Sequence, residues 1–557
     1  MHFKLVFLLS LVCTSVEAAS PSAVPARHGL VTSTSKQASQ VGVDILRQGG
    51  NAVDAAVATA FALAVTYPSA GNIGGGGFAL VRLPDGRVLS LDHRETAPAS
   101  AGRDMYLDSQ GEIIEGLSLA SHKAAGTPGS VDGLLELQSK LGILDRKTVI
   151  APAIVLAEEG FPLSWQMADS FTRMLARAPD FPATKAKFTN KGKAYQPGDI
   201  WKQADLAKTL KAISRDGREG FYQGWVASAI ASEMRAGGGN ITEGDLQQYR
   251  SVWREPVQGE YRGYQIWSMG PPSSGGVLLV QMLNMLEAYD VKAMSWGSAE
   301  LVHLMAEVAR RSYADRARHL GDPDFWDVPV QALTSKDYAS ERMQSFSASK
   351  ATPSHLIGAG EFGRESEQTT HFSVIDKDGL MVSLTTTLNS GYGNRLVVPG
   401  TGILMNNEMD DFSIKADTPN QFGLLGSKAN EIAPGKRMLS SMTPTLVTLD
   451  GKPFLITGSP GGSTIITTVL QVIVNLVDHG MSIADAVSLP RFHHQWQPDM
   501  IYYGRYGLGP DTIQRLQDKG HKLVQRRALG DANSIHIVDG IRYGIKDPRQ
   551  EGLAAGY

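Results

Sequence analysis

The chain has 557 residues, of which 42% are hydrophobic and 20% are charged. This length allows a large buried core, arranged as two domains or as one large layered domain. The 53 basic and 56 acidic side chains give a net charge of −3 without a basic, aromatic-studded stripe, which excludes a nucleic acid as the expected partner.

Residues 1–19 have the three regions of a secretory signal peptide. Lys4 ends a short polar stretch, residues 5–12 form an apolar run too short to cross a bilayer, and small residues follow. The single cysteine, Cys13, lies inside this segment, so the mature chain is expected to contain no disulfide and no thiolate metal site. We therefore expect a protein exported across the inner membrane to the periplasm or the medium, with no membrane span.

Two helices and a hairpin are predicted next. Helical spacing over residues 36–48 ends at a pair of glycines, and Asn51 caps a second helix that is apolar on every face and therefore buried. After four glycines, residues 78–91 are predicted to form a hairpin whose second strand leads to Arg94.

The middle of the chain, residues 131–343, has mainly helical patterns with polar connections. Residues 345–368 are rich in Ser, Thr, Gly, Pro and charge and have no periodicity, which predicts an exposed, mobile connection. Strand patterns follow at residues 370–375, 380–388, 445–448 and 454–457, and a helix is predicted over residues 463–479. This mixture favours an α/β layered fold, with sheets covered by helices.

The first two of these strands form a predicted hairpin around a three-residue loop that ends in Gly379. Counting outward from this loop places Thr387 opposite Thr369, and the side chain of Asn389 points to the same face as that of Thr387. The hairpin thus gathers polar groups around Thr369. Strand propensity alone also explains the threonines, and the hairpin by itself favours that simpler interpretation.

Residues 458–463, Gly-Ser-Pro-Gly-Gly-Ser, lead directly into the last of these helices. Backbone N–H groups at such a helix start can bind an anion or a developing oxyanion. No lysine follows, so a Walker phosphate loop is excluded, and the spacing is not that of a nucleophile elbow. A plain turn explains this loop equally well.

Polar side chains cluster on two further stretches. Residues 406–411 offer amides and carboxylates, and residues 436–441 offer hydroxyls beside positive charge. With Arg94, they could hold a small zwitterion. Such an acidic run most commonly lies on the solvated surface. It also lacks the residue spacing of a calcium-binding loop. The pair His493-His494 lacks the further ligands of a zinc site, so no metal and no cofactor are expected.

Together these motifs resemble the γ-glutamyltransferase family of N-terminal-nucleophile hydrolases, over essentially the whole mature chain. The similar segments are residues 49–55, 74–78, 92–98, 271–276, 368–373, 406–412, 439–442, 458–463 and 490–494. The resemblance implies a four-layer αββα fold and a precursor that cuts itself between Gln368 and Thr369. It further implies a large subunit of residues 20–368 and a small subunit of residues 369–557, which stay together.

The resemblance also implies the roles of individual side chains. Thr369 would be the nucleophile, with its α-amine as base, and Thr387 would support it. Gly461 and Gly462 would form the oxyanion hole. Arg94, Ser440 and Ser441 would bind the α-carboxylate of the substrate. Asn389, Glu408 and Asp411 would bind its α-amine. A γ-glutamyl ester would pass to water or to an amino acid or peptide, with glutathione as the donor.

Two departures from the family are visible. Several bacterial relatives have glutamine where this chain has Glu408. Residues 419–423 resemble the lid loop over the site, but relatives often have a tyrosine where Phe422 stands, and phenylalanine cannot donate its hydrogen bond. We therefore expect a lid that is present but looser.

Two other functions fit parts of these patterns. A cephalosporin or glutaryl acylase would use the same nucleophile, but its substrates lack the two α-charges that the polar residues match. A non-catalytic periplasmic binding protein would leave the junction between Gln368 and Thr369 without a role.

Overall fold

The computed structural model describes residues 20–357, 369–415, 421 and 427–557. The predicted signal peptide, Gln368 and Phe422 lie outside these ranges. The strands are β1 (Val24–Ala26), β2 (Leu30–Ser33), β3 (Gly76–Arg82), β4 (Val88–Asp92), β5 (Phe161–Pro162), β6 (Thr189–Asn190), β7 (Lys193–Ala194), β8 (Ile200–Trp201), β9 (Val252–Arg254), β10 (Val257–Tyr261), β11 (Tyr264–Ser268), β12 (Thr370–Ile375), β13 (Met381–Thr387), β14 (Thr445–Leu449), β15 (Lys452–Thr457), β16 (Phe492–His493), β17 (Ile501–Gly504), β18 (Leu523–Arg526), β19 (Asn533–Val538), β20 (Ile541–Lys546) and β21 (Leu553–Gly556).

The helices account for most of the remaining regular structure. They are α1 (Lys36–Arg47), α2 (Ala52–Thr66), α3 (Ser130–Leu141), α4 (Arg146–Glu159), α5 (Trp165–Leu175), α6 (Pro182–Phe188), α7 (Ala204–Asp216), α8 (Glu219–Tyr222), α9 (Gly224–Ala236), α10 (Glu243–Gln248), α11 (Gly275–Glu287), α12 (Ala299–His319), α13 (Val330–Leu333), α14 (Lys336–Met343), α15 (Thr464–Val477), α16 (Ile483–Ser488) and α17 (Pro510–Asp518). Within the described ranges, no helix is both long and apolar enough to cross a membrane.

Two seven-stranded sheets form the centre of the molecule. The first has the order β1-β20-β19-β15-β14-β11-β10, and the second has the order β21-β2-β12-β13-β3-β4-β9. Helices α11 and α16 pack on the outer face of the first sheet, and α15 packs beside them in the same hydrophobic cluster. Helices α1 and α2 pack on the outer face of the second sheet. The sheets contact each other through their inner faces, so the predicted four-layer arrangement is confirmed.

Strand β3 contributes side chains to two layers, because successive side chains of a strand point to opposite faces of the sheet. Phe78 and Leu80 point between the sheets, whereas Ala79 and Val81 point towards the helices on the outer face. Helix α2 is buried along its whole length, as its all-round apolar sequence predicts. Asn51 caps it in a capping box with Asp54, which satisfies the first backbone N–H groups of a helix that water does not reach.

The middle of the chain is mainly helical, as predicted, but two stretches differ from the expectation. Residues 252–268 form strands β9, β10 and β11 rather than helices and polar connections, and they sit at the edges of the two sheets. Residues 345–357 are fixed to the body of the protein rather than mobile. Ser354 donates from its hydroxyl to the carbonyl of Trp496 and from its amide to Asp499.

Candidate active site

A pocket opens where the inner faces of the two sheets end. Its described lining is polar and charged, with few apolar members: Arg94, Arg316, Thr369, Thr387, Asn389, Glu408, Asp411, Ser440, Ser441, Met442, Gly462 and Ile465. Eight of the predicted substrate or catalytic side chains are therefore in one place, although they come from widely separated parts of the sequence. Gly462 joins them from the glycine loop, and Gly461 precedes it in the chain.

The hairpin β12–β13 positions Thr369. The three-residue loop is closed by a hydrogen bond from the Asp376 amide to the Leu380 carbonyl, and Gly379 has a φ of +80°, which favours glycine. The register pairs Thr370 with Thr386, so its continuation places Thr369 opposite Thr387, as predicted. Thr369 is only 6% exposed.

Alternation along the hairpin directs Thr369 into the space between the sheets. Ser373 donates to the carbonyl of Asn533, and Ser383 donates to that of Thr457, so these side chains face the first sheet. Thr369 and Thr387 share that face by the two-residue period. The Thr387 hydroxyl accepts a hydrogen bond from the Asn389 amide at 2.8 Å, which fixes the oxygen at the end of the strand.

The glycine loop precedes helix α15. Gly461 and Gly462 have φ values of +136° and +54°, and a side chain on Gly461 would meet Thr464 Oγ1 at 2.3 Å. Neither glycine amide donates a hydrogen bond to another residue in the described part of the chain. Left-handed glycines at the start of a helix can direct such amides towards an anion, which fits the predicted oxyanion hole better than a plain turn.

Arg94 is at the centre of a buried charge cluster. It forms ion pairs with Glu408 through Nη1 and with Asp411 through Nη2, the latter at 2.5 Å. Burial alone would lower the pKa of Arg94, but the charges of Glu408 and Asp411 raise it above its ordinary value. Burial raises the pKa of both acids, against the lowering effect of Arg94. The interpretation of this acidic run as a solvated surface was wrong.

Glu95 extends the cluster behind the pocket. One of its carboxylate oxygens lies 3.9 Å from Arg94 Nη1, and the side chain is completely buried. Burial raises the pKa of Glu95 to about 7, so this acid readily holds a proton near neutrality. Even when Glu95 is protonated, two acids, Glu408 and Asp411, surround the guanidinium of Arg94, an arrangement suited to binding an ammonium group.

The serine pair Ser440-Ser441 follows Met438 and Leu439, whose carbonyls accept hydrogen bonds from Arg94. The Ser440 amide donates to the Pro272 carbonyl, and the Ser440 hydroxyl accepts from the Met442 amide at 3.1 Å. The neighbouring cations that the sequence suggested as helpers point elsewhere. Lys436 donates to the carbonyls of Ala429 and Glu431, and Arg437 pairs with Asp92, so neither belongs to the pocket lining.

The second cation of the pocket is Arg316, which the sequence analysis missed. It lies in the last turn of α12 and donates to the hydroxyls of Ser274 and Ser441. Burial lowers its pKa to about 10, which still leaves it charged at neutral pH.

Histidine clusters lie apart from the pocket and make ordinary hydrogen bonds. His493 bonds with Thr467 at 2.8 Å, in agreement with the expected structural role. His303, Glu307 and His521 lie close enough to share a cation. However, His303 Nδ1 bonds directly with His521 Nε2, and Arg311 pairs with Glu307, so these donors are already engaged.

Comparison with known proteins identifies the family and the fold. The family model described as gamma-glutamyltranspeptidase matches residues 38–557. The chain belongs to this family. It is 48% identical over 567 residues to the glutathione hydrolase proenzyme of Escherichia coli (strain K12), covering 99% of this chain and 98% of that protein. It is 44% identical over 564 residues to the glutathione hydrolase proenzyme of Pseudomonas sp. (strain A14), with coverage of 99% and 98%.

Among solved structures, the cephalosporin acylase of Bacillus halodurans superposes on this gamma-glutamyltranspeptidase family member with a TM-score of 0.84. The two are 28% identical, and the match covers 99% of each chain. The chain therefore shares its fold with an acylase as well as with the glutathione hydrolase relatives.

Proposed function

We propose that this protein is a γ-glutamyltransferase and glutathione hydrolase that cuts itself before Thr369. The observation that carries the proposal is the position of Thr369 in a pocket that also holds Arg94, Glu408 and Asp411. A nucleophile beside both carboxylates and a guanidinium suits an acyl group that bears an α-amine and an α-carboxylate. The names of the two proenzyme relatives agree with this choice.

The first reaction matures the enzyme. The Thr369 hydroxyl attacks the carbonyl carbon of Gln368, the peptide bond rearranges to an ester, and water releases the large subunit (20–368) from the small subunit (369–557). The new α-amine of Thr369 has an ordinary pKa of roughly 7.7–8.0, which suits a base that works near neutral pH. The subunits remain together because each sheet contains hydrogen-bonded strands from both sides of the cut.

The second reaction uses the same hydroxyl on the substrate. Thr369 attacks the γ-carbonyl carbon, its proton passes through the α-amine to the leaving amine, and a γ-glutamyl ester remains on Thr369. The amides of Gly461 and Gly462 stabilise the oxyanion, and Thr387 orients the nucleophile. Water or the amine of an amino acid or peptide then takes the acyl group. The predicted kinetics are ping-pong.

Substrate recognition opens the buried charge cluster. The α-amine binds to Glu408, Asp411 and Asn389, and it replaces Arg94 as the partner of the two acids. Arg94, together with Ser440 and Ser441, then binds the α-carboxylate. No step of this reaction needs a metal or a cofactor. The partners are small molecules and the second subunit from the same precursor, and we infer export to the periplasm from residues 1–19.

The lid remains part of the proposal. Phe422 lies outside the described residues, but its neighbour Gln421 accepts a hydrogen bond from Ser390 and donates its amide to Asp410. These bonds hold Gln421 beside Asn389, a neighbour of Ser390 that lines the pocket. Phe422→Tyr should shift the ratio of transfer to hydrolysis, and an unchanged ratio would contradict a looser lid.

A related acylase is the second candidate, because of the likeness to the cephalosporin acylase. A comparison of γ-glutamyl and glutaryl anilides separates the two, since only the first carries an α-amine. We expect the γ-glutamyl anilide to be cleaved at least about 100-fold faster in kcat/KM, from the loss of a buried ammonium–carboxylate contact. Faster cleavage of the glutaryl anilide would favour the acylase.

A further inference from the structure

Arg316 hydrogen-bonds to two serines, Ser274 and Ser441, which the proposed cleavage would place in different subunits. It lies in helix α12, before the proposed cut, and is 4% exposed. Its Nε donates to Ser274 Oγ at 2.9 Å, and its Nη2 donates to Ser441 Oγ at 3.2 Å. Ser274 in turn donates from its hydroxyl to the Ser440 carbonyl at 2.7 Å. The guanidinium therefore contacts the serine pair both directly and through Ser274.

This guanidinium differs from its neighbours in α12. Arg310 and Arg311 each form an ion pair with Glu307. Arg316, by contrast, donates hydrogen bonds to hydroxyls only and forms no ion pair within the described residues. The nearby charge of Asp411 raises its pKa, but burial lowers the pKa by more. A buried cation that is not directly paired with an anion is costly unless a ligand supplies the negative charge. Arg94 needs no negative charge from a ligand, because Glu408 and Asp411 already neutralise its guanidinium.

The hydrogen bonds also determine whether the two serine hydroxyls can donate to a ligand. Ser441 Oγ accepts from Arg316, and Ser440 Oγ accepts from the Met442 amide. Neither hydroxyl donates to another residue within the described ranges, so each has its proton available for a ligand. Two donors beside a cation match an acceptor-only group, and a carboxylate is such a group.

We propose that Arg316 is a positioning residue that makes the site selective for a substrate with a free α-carboxylate. It acts through Ser441, whose hydroxyl it holds as a donor, and through Ser274, which holds the backbone of Ser440. This inference rests on the proposed function and adds the residue that sets the polarity of the carboxylate subsite. When a zwitterion binds, its ammonium pairs with Glu408 and Asp411. Its carboxylate lies near the two cations, Arg94 and Arg316.

The test compares γ-glutamyl-p-nitroanilide with the same anilide carrying an α-carboxamide in place of the α-carboxylate. The wild type should prefer the carboxylate. In Arg316→Gln, KM for the carboxylate substrate should rise by about tenfold to a hundredfold, because a hydrogen-bonded charge is lost. The carboxamide substrate should change by no more than about twofold, so the preference should collapse. An equal loss for both substrates would mean a merely structural role and would overturn the inference.

Two further variants support the interpretation. Arg318→Gln, an exposed position two residues along the same helix, should leave both kcat/KM values unchanged. Arg316→Lys keeps the charge but cannot reach both serines, so it should lose part of the preference. If Arg316→Gln does not mature, the lysine variant decides, and an unchanged preference there would overturn the inference.

The inference and the proposed function fail in different ways. If the wild type is not cut and cleaves neither anilide, the proposed function is wrong and Arg316 has no substrate to position. If the wild type is cut and active while Arg316→Gln keeps its preference for the carboxylate, only the role of Arg316 is wrong.

Discussion

Arg94 Nη2 lies 2.5 Å from Asp411 Oδ2, and the two side chains are shielded from solvent together with Glu408. This ion pair occupies the positions at which the proposed substrate amine and carboxylate would bind. Substrate binding must therefore replace the contacts of Arg94 with its two acids by two new ones, between the ammonium and the acids and between the carboxylate and Arg94. The exchange explains why a zwitterion suits the site better than a singly charged acyl group.

Asp411→Asn should weaken binding of substrates that carry an α-amine. Removing one partner of a buried charge pair costs about 2–5 kcal/mol, so KM for the γ-glutamyl anilide should rise by at least about 30-fold. The glutaryl anilide should lose much less, because it has no amine to bind. Steady-state kinetics on both anilides measure the difference.

Asp478→Asn is the matched control, since Asp478 is also buried and pairs with Tyr261 and Arg262, away from the pocket. It should lower stability without changing KM. An equal rise in KM for both anilides in Asp411→Asn would contradict amine recognition by this acid.

Thr387→Val should slow both maturation and turnover. The Thr387 oxygen is held by the Asn389 amide and lies across the hairpin from Thr369, so its removal leaves that amide unsatisfied and the nucleophile without support. We expect kcat to fall by about tenfold or more with little change in KM. Thr387→Ser keeps the oxygen and should recover most of the rate; a serine variant as slow as the valine variant would argue against the hydroxyl.

Gly461→Ala should damage the proposed oxyanion hole. At a φ of +136° a side chain is strained by about 1–3 kcal/mol, and its Cβ would meet Thr464 Oγ1 at 2.3 Å. The loop must shift, and the loss of one well-placed donor should lower kcat by about 100-fold. Gly480→Ala is the control, because Gly480 also has a positive φ but has open space around it. Equal rates in the two variants would exclude an oxyanion role.

Local patterns predicted the hairpin that carries Thr369 because each signal was contained within a few residues. The loop glycine fixed the register, and the two-residue period fixed the facing side chains. Helices α1 and α2 were predictable for the same reason, since the caps and the apolar pattern lie inside each element. The family resemblance supplied the rest of the pocket, and the family model confirms that membership.

The sequence could not predict features that depend on distant partners. Strand β11 pairs with β14, almost two hundred residues away, and its neighbour β10 has exposed polar positions and a glycine. Arg316 was missed because a charged helix normally lies in solvent, whereas α12 buries Glu307, Arg310 and Arg311 through mutual ion pairs. The anchoring of Ser354 likewise depends on residues near the end of the chain.

Stability should fall as the pH is lowered from 7 to 5. Burial lowers the pKa of six histidines to about 3 or 4, so they stay neutral in the folded state but take up protons near pH 6.5 when unfolded. These are His93, His371, His493, His494, His521 and His536. The contribution of these neutral histidines to the stability of the folded state is therefore present above pH 6.5 and is lost as the pH falls towards 4.

Buried acids act in the opposite direction. Burial raises the pKa of Glu95 to about 7 and that of Asp410 and Asp531 to about 6, so these groups favour the folded state as the pH falls. Burial also raises the pKa of Glu408 well above its ordinary value, which makes four such acids against the six histidines. Each proton in excess changes the free energy of unfolding by about 1.4 kcal/mol per pH unit. Urea unfolding of the uncut Thr369→Ala chain at pH 5, 6 and 7 measures this slope. A stability that is constant or rises towards pH 5 would contradict the balance.

The most direct test of the account is mass spectrometry of the purified wild type beside Thr369→Ala, with Thr370→Ser as a control for the neighbouring hydroxyl. The wild type and the control should each yield a fragment that begins at residue 369, and Thr369→Ala should remain one chain without γ-glutamyl transfer. The account would be contradicted by a fully active wild type whose polypeptide is unbroken between residues 368 and 369.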